Sequence, residues 1–250
     1  MSQGGSSERI GFLRAAIARI EGQGPVLEGA APAPHRGRLA EILPARAGDQ
    51  TAACGFALSR AIKAAESGRG LILWALEDYL THEAGLPYGP GLHHLGLPLS
   101  RVVVVRAQTA RQVLWVMEEA LRSRACVAVI GEVRSARRHF DLAATRRLQL
   151  AARAGAGEAL LLHDAPAHDL STAAELRFEI SSVAGLRLAS AGKRRPIPSH
   201  PAWGVSLRKQ RGLTSTPVRL SETQKTLIWT MKGARSGTLS VSADHQQKIA

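Results

Sequence analysis

Residues 44–51, Pro-Ala-Arg-Ala-Gly-Asp-Gln-Thr, form the stretch whose layout could do chemistry. They lie between a short apolar run and an Ala-rich segment, the strand-loop-helix order that holds nucleotide phosphates. A working loop of this kind reads Gly-x-x-x-x-Gly-Lys-Ser/Thr. Its glycines let backbone N–H groups close around phosphate oxygens, its Lys reaches the terminal phosphates and its hydroxyl holds magnesium. Here Pro44 and Asp49 stand in the glycine positions and Gln50 in that of the Lys; only Thr51 matches. Gly48, Gln50 and Thr51, with Glu77 at the end of the next apolar run, are what is left of such a site. Losing the Lys removes a charged contact, and losing the glycines blocks backbone approach. Neither ATP nor magnesium is therefore expected as a cofactor.

Other reactive residue types are weaker candidates. Glu77 and Asp78 follow the apolar run 71–76, at the strand end where open α/β sheets bind ligands, but two carboxylates there also make an ordinary solvated turn. His82, His93 and His94 fall in the Gly- and Pro-rich connector 81–99. Adjacent histidines point apart on a strand or a helix, and no Cys or carboxylate follows at ligand spacing, so no metal is expected. His163 and Asp164 are chain neighbours, which rarely align as base and orienter, and no nucleophile is near in sequence. Cys54 and Cys126 sit in apolar segments and read as reduced, buried thiols.

The elements that would position these residues follow a regular pattern. Ile10, Leu13, Ile17 and Ile20 recur at helical spacing after Ser6 and Ser7, and a Pro/Gly-rich linker follows, which sets off residues 1–36 from the core. Strands are predicted over 39–43, 71–76, 101–106, 126–130 and 158–162, with helices over 51–66, 109–124 and 142–154. Thr109 and Gln112 form a capping box, and Asp141 caps the third helix, whose exposed side carries Arg146, Arg147 and Arg153. Four consecutive valines, 102–105, predict a strand buried on both faces. In the connector, Tyr88 and Leu92 are expected to pack over the sheet edge. Strands alternating with helices imply an α/β fold with a mainly parallel sheet flanked by helices. The pattern then changes. Residues 175–183 and 203–209 alternate polar with apolar and predict antiparallel edge strands, joined by a basic hairpin tip.

The formal net charge is +13, and its distribution matters more than its size. From Ser190 onward eleven Lys and Arg face two acidic residues, whereas the chain before it carries twenty-two against eighteen. A near-neutral body with a basic terminal quarter suggests contact with an anionic partner, DNA first, through Lys193, Arg194, Arg195, Arg208, Lys209 and Arg211 together with Arg146 and Arg147. The core spans 37–211, and residues 212–250 read as a basic, disordered tail with one apolar patch at Leu227, Ile228 and Trp229. No run approaches the roughly 20 apolar residues of a membrane span, and no signal-peptide core opens the chain, so a cytoplasmic location without membrane contact is expected.

Four stretches carry a family resemblance. They are Gly-Arg-Leu-Ala-Glu-Ile at 37–42, Leu-Gly-Leu-Pro-Leu-Ser-Arg-Val-Val-Val-Val-Arg at 95–106, Ala-Arg-Gln-Val-Leu-Trp-Val-Met-Glu-Glu-Ala-Leu at 110–121, and Phe-Asp-Leu-Ala-Ala-Thr-Arg-Arg-Leu-Gln-Leu-Ala-Ala at 140–152. In these the chain resembles a RecA-type ATPase core, and more closely the ImuA family, RecA-related proteins of bacterial damage-induced mutagenesis. The likeness covers about 37–165 and is one of scaffold, since none of the four stretches is a catalytic signature. It implies a RecA-like fold in which Thr51 and Glu77 match phosphate-site residues, Gln50 replaces the loop Lys, and the strand 126–130 ends without its Asp, with Glu132 two residues later. It also implies a noncatalytic accessory role in SOS-induced translesion synthesis, beside an ImuB-type Y-family-like partner and an error-prone DnaE-type polymerase. Self-association is compatible with the same scaffold. A DNA-dependent ATPase with a degenerate loop and a generic basic nucleic-acid-binding protein are the competing readings.

Overall fold

The computed structural model describes residues 35–134, 141–163, 171–183, 186–187, 198–200, 202–210 and 226–230. The expected N-terminal helix and linker up to residue 34, Asp164, Lys193, Arg194, Arg195, Arg211 and all of the tail except 226–230 lie outside the described residues.

Apolar runs buried on both faces make the centre of the sheet. β1 (Leu39–Pro44), β4 (Cys126–Val133) and β5 (Glu158–His163) are buried along nearly their whole length. β2 (Leu71–Glu77) and β3 (Val102–Ala107) extend the sheet on one side. On the other stand β6 (Leu176–Ser182), β9 (Ala202–Gln210) and β10 (Thr226–Thr230), giving the order β10-β9-β6-β1-β5-β4-β2-β3. The pairs from β3 through β6 are all parallel, while β9 runs antiparallel to both β6 and β10. β7 (Leu186–Arg187) and β8 (Pro198–His200) pair separately.

Helices cover both faces, as crossovers between parallel strands require. The Ala-rich α1 (Gln50–Glu66) lies on one, where Phe56 and Ile62 pack with Ile42, Trp74, Leu160, Phe178 and Trp203. Trp203 sits so close to α1 that a Cβ on Gly55 would meet its ring at 2.9 Å, so this glycine is what lets β9 close over the helix. α4 (Ala110–Arg122) and α5 (Leu142–Gly155) lie on the opposite face, where Val113, Met117, Leu121 and Leu148 bury Leu39, Val129 and Leu161. Their ends meet backbone to backbone: a Cβ on Gly155 would fall 1.8 Å from the Leu121 carbonyl oxygen. Both helices start at the predicted caps, Thr109 accepting from the Gln112 N–H at 3.3 Å and Asp141 from the Ala144 N–H at 2.6 Å.

Four expectations change. β3 is not doubly buried: it ends the sheet among the described residues, with Val103 and Val104 37% and 40% exposed. A run of valines reports β propensity, not the strand's place in the sheet. β6 is interior, between β1 and β9, and its parallel pairing with β1 overrides the half-polar pattern that suggested an antiparallel edge. The connector holds two short helices, α2 (Asp78–Ala84) and α3 (Gly89–His94), in which Leu92 is buried but Tyr88, just before α3, is 72% exposed rather than packed on the sheet. The apolar patch of the expected tail is β10, so the sheet reaches beyond residue 211.

Candidate functional site

Parallel strands bring Pro44, Glu77, Glu132 and His163 to one edge of the sheet, around the start of α1. The 3-10 turn Ala47–Asp49 runs directly into α1, and its conformation depends on Asp49. That side chain is 1% exposed and turns away from the helix end that it precedes. Its Oδ1 accepts from the Ser182 N–H at 3.0 Å and from Ser182 Oγ at 2.5 Å, while Arg46 approaches Oδ2 at 3.3 Å. Burial alone would raise the carboxyl pKa, but the two Ser182 hydrogen bonds and the Arg46 charge outweigh it and hold the group below its ordinary range. The loop is thus tied to the end of β6 by a carboxylate.

The remaining candidate loop residues are not gathered around an anion. Gly48 faces open space, since a Cβ there would meet nothing within 4 Å, so its lack of a side chain serves no close approach. Gln50 opens α1 and Thr51 is exposed on its first turn. Glu77 is occupied by the Arg134 backbone N–H at 2.6 Å. Asp78, its sequence neighbour, pairs instead with Arg106, Nε lying 2.7 Å from Oδ1, so the two carboxylates serve different contacts.

Glu132, the residue nearest to a magnesium-binding acid, accepts from the Trp74 indole N–H at 3.3 Å. Burial pushes its carboxyl up, and Trp74 and Arg134 oppose this only partly. Beside it, burial and the Glu132 charge push the Cys54 thiol far up, which leaves it a protonated core thiol. His163 is buried, and burial with the nearby Arg177 charge lowers its pKa to about 3. A permanently neutral imidazole at neutral pH is a poor general base.

The cationic candidates divide by what they touch. Arg208 forks onto Glu179 at 2.9 and 2.6 Å, and Lys209 donates to the Thr172 carbonyl at 2.8 Å, so both fasten β9. Arg147 reaches across from α5 to Glu118 on α4 at 3.3 Å, a carboxylate that also receives Arg122. Arg146 is exposed and has no acidic partner among the described residues. Arg111 on α4 shares both properties, and Trp115 one turn further along is 62% exposed. Neither Arg111 nor Trp115 stood out as a candidate in the sequence. The helical spacing that turns Val113 and Met117 inward already places Trp115 on the outer face, and that was the available signal. Among the described residues the α4–α5 face therefore combines arginines with and without an acidic partner and an outward aromatic ring.

Fold and edge residues together define a class: a helix-covered, mainly parallel α/β sheet whose first strand leads through a 3-10 turn into a helix. No family model matches the chain. Two curated proteins named Protein ImuA, from Caulobacter vibrioides strains NA1000 / CB15N and ATCC 19089 / CIP 103742 / CB 15, are each 31% identical to it over 135 residues. The alignment covers 50% of this chain and 52% of each relative, so the chain spans about half the length of the curated relatives it matches. This likeness supports a relationship to the ImuA family. Among solved structures, SulA from Pseudomonas aeruginosa matches with 23% identity and a TM-score of 0.37, covering 50% of this chain and 96% of that one. A likeness that distant carries no argument.

No helix among the described residues is long and apolar enough to cross a membrane.

Proposed function

We propose that this chain is a noncatalytic accessory protein of damage-induced mutagenesis. In this reading a RecA-like scaffold has given up hydrolysis and presents basic surfaces to DNA and to its protein partners, an ImuB-type Y-family-like protein and an error-prone DnaE-type polymerase. The observation that carries it is the Asp49 carboxylate, bound to Ser182 at the turn where a phosphate loop would offer backbone N–H groups. A buried anion there opposes phosphate, and the one cation beside it among the described residues, Arg46, is already engaged by that carboxylate. The similarity to Protein ImuA supplies the cellular context.

No specific ATP turnover is expected from the purified chain. Hydrolysis at a rate abolished by Thr51→Ala would overturn this reading and favour the degenerate ATPase. Recovery of a polymerase with the tagged chain from damage-treated cells is the expected result for the partners.

DNA binding is expected to weaken steeply with salt. Substituting Arg111 and Arg146 by Ala should lower the slope of log affinity against log salt by about two units, close to one for each phosphate left without its arginine. The set Lys193, Arg194 and Arg195 is tested in the same way. Cutting the chain at residue 190 would not be a fair test, because β9 and β10 belong to the sheet. Unchanged affinity and slope in both sets would remove DNA from the proposal.

A further inference from the structure

Trp74 and Trp203 are spent on the core, whereas Trp115 on the outer face of α4 is left in water. A lone exposed apolar residue is ordinary on a protein surface. What sets Trp115 apart is its surroundings. Arg111 lies one turn before it on the same stripe of α4, and Glu118 follows at the next turn. Glu118 faces α5, where Arg147 reaches it while Arg122 holds it from its own helix, so its charge is met from both sides. With Arg147 against Glu118 and Gly155 against Leu121, the register of the two helices brings Arg146 alongside the turns that carry Arg111 and Trp115. Arg111 and Arg146 are both exposed, and neither has an acidic partner among the described residues. The indole ring thus stands beside two guanidinium groups open to an anion. On α5 the exposed Leu150 follows Arg146 at the spacing at which Trp115 follows Arg111, so the alternation repeats.

That interleaving selects the partner. The core of a protein–protein interface is depleted of charge, whereas here cations stand within a turn of the ring on both helices. Alternating charge and flat apolar surface matches a nucleic-acid strand, whose phosphates attract cations and whose bases stack on aromatic faces. It matches only a strand whose bases are free. α4 and α5, each about 10–12 Å across, lie side by side and form a layer roughly 20 Å wide, too broad for the ~12 Å major groove. A duplex laid on this face would offer Trp115 its phosphates and keep its bases stacked inside. Glu119, a turn beyond Trp115, is exposed, so the path for an anionic strand runs from Trp115 across to Arg146 and Arg111 rather than along α4.

We infer that the α4–α5 face is a binding site for single-stranded DNA, on which Trp115 stacks with a base while Arg111 and Arg146 hold neighbouring phosphates. The inference rests on the proposed contact with DNA and adds which form of DNA is bound and by which ring.

The test is binding of the full chain to a short labelled oligothymidylate and to a duplex of the same length, followed by fluorescence anisotropy across a range of salt. The single strand is expected to bind more tightly. Trp115→Leu should weaken single-strand binding roughly tenfold, the worth of one stacked base, and leave duplex binding unchanged. Because no phosphate contact is lost, the salt slope of Trp115→Leu should equal that of the parent, whereas removing Arg111 and Arg146 lowers it. Trp115→Phe should keep most of the affinity. Ultraviolet crosslinking of the unaltered chain to a bromodeoxyuridine strand should label Trp115, which decides the matter even if a variant fails to fold. Equal affinity for the two forms, undiminished single-strand binding by Trp115→Leu, or a crosslink elsewhere would overturn the inference and leave DNA contact through the arginines standing. Binding to neither form would remove DNA from the proposed function as well. Intact DNA binding by Trp115→Leu with loss of the polymerase recovered from damage-treated cells would make this face a protein dock, and would equally overturn it.

Discussion

Replacing Arg60 by Met is expected to destabilise the chain by roughly 3–5 kcal/mol, the cost of leaving a buried charge without its partner. Arg60 and Glu158 have side chains 1% and 0% exposed, and Nε lies 2.7 Å from Oε1. The guanidinium also lies over the Phe178 ring, 5.6 Å from its centroid, so one side chain joins α1, β5 and β6. The double variant Arg60→Met with Glu158→Leu should recover most of the loss, because an apolar pair of similar volume avoids the desolvation that the ion pair must overcome. Urea denaturation of the two single variants and the double variant gives the coupling directly. A single variant within about 1 kcal/mol of the parent would mean that the pair behaves like an exposed one.

The same substitution has a pH signature. Burial raises the Glu158 pKa above its ordinary 4.5, and the Arg60 charge and hydrogen bond oppose that rise. Without Arg60 only the backbone hydrogen bond at His35 still opposes it. The folded variant then holds its Glu158 proton at pH values where the unfolded chain has released it, and stability rises as pH falls through that window. The destabilisation measured at neutral pH should therefore shrink toward acid pH.

Neither partner of that pair could be matched from the sequence, because they are 98 positions apart and meet only once the strand order is known. What was legible depended on local signals. The apolar runs around Ile42, Leu73, Val129 and Leu161 announced strands, and Thr109 and Asp141 announced helix starts, since each rests on spacing within a few residues. Sheet position is a non-local property. The valines of β3 read as a buried strand and lie on the edge, whereas the half-polar β6 read as an edge and lies inside, its Arg177 satisfied by Glu41 of β1 at 2.7 Å. At the candidate site the loop's missing Gly and Lys were plain in the sequence. The use made of Asp49 was not, because its acceptor role is fixed by Ser182, 133 positions away.

That contact sets the second large effect. Asp49→Ala is expected to cost about 3 kcal/mol, since a buried carboxylate accepting two hydrogen bonds is removed and the Ser182 donors are left unsatisfied. Arg46 adds little, because its side chain is 76% exposed. Asp49→Asn keeps one oxygen for Ser182 and loses the charge, so it should fall between the parent and Asp49→Ala. The folded Asp49 pKa lies below the ordinary 3.8, so its contribution is fully present above that value and is lost as pH falls through the folded one. The stability gap between the parent and Asp49→Asn should accordingly be constant at neutral pH and close in acid, an outcome that urea denaturation across the acid range would reveal. A gap that persists at the lowest pH would assign the effect to shape alone. A gap that closes would make the charge itself the tie between loop and sheet, in which case the group proposed to keep phosphate from this turn is also the one that holds the turn in place.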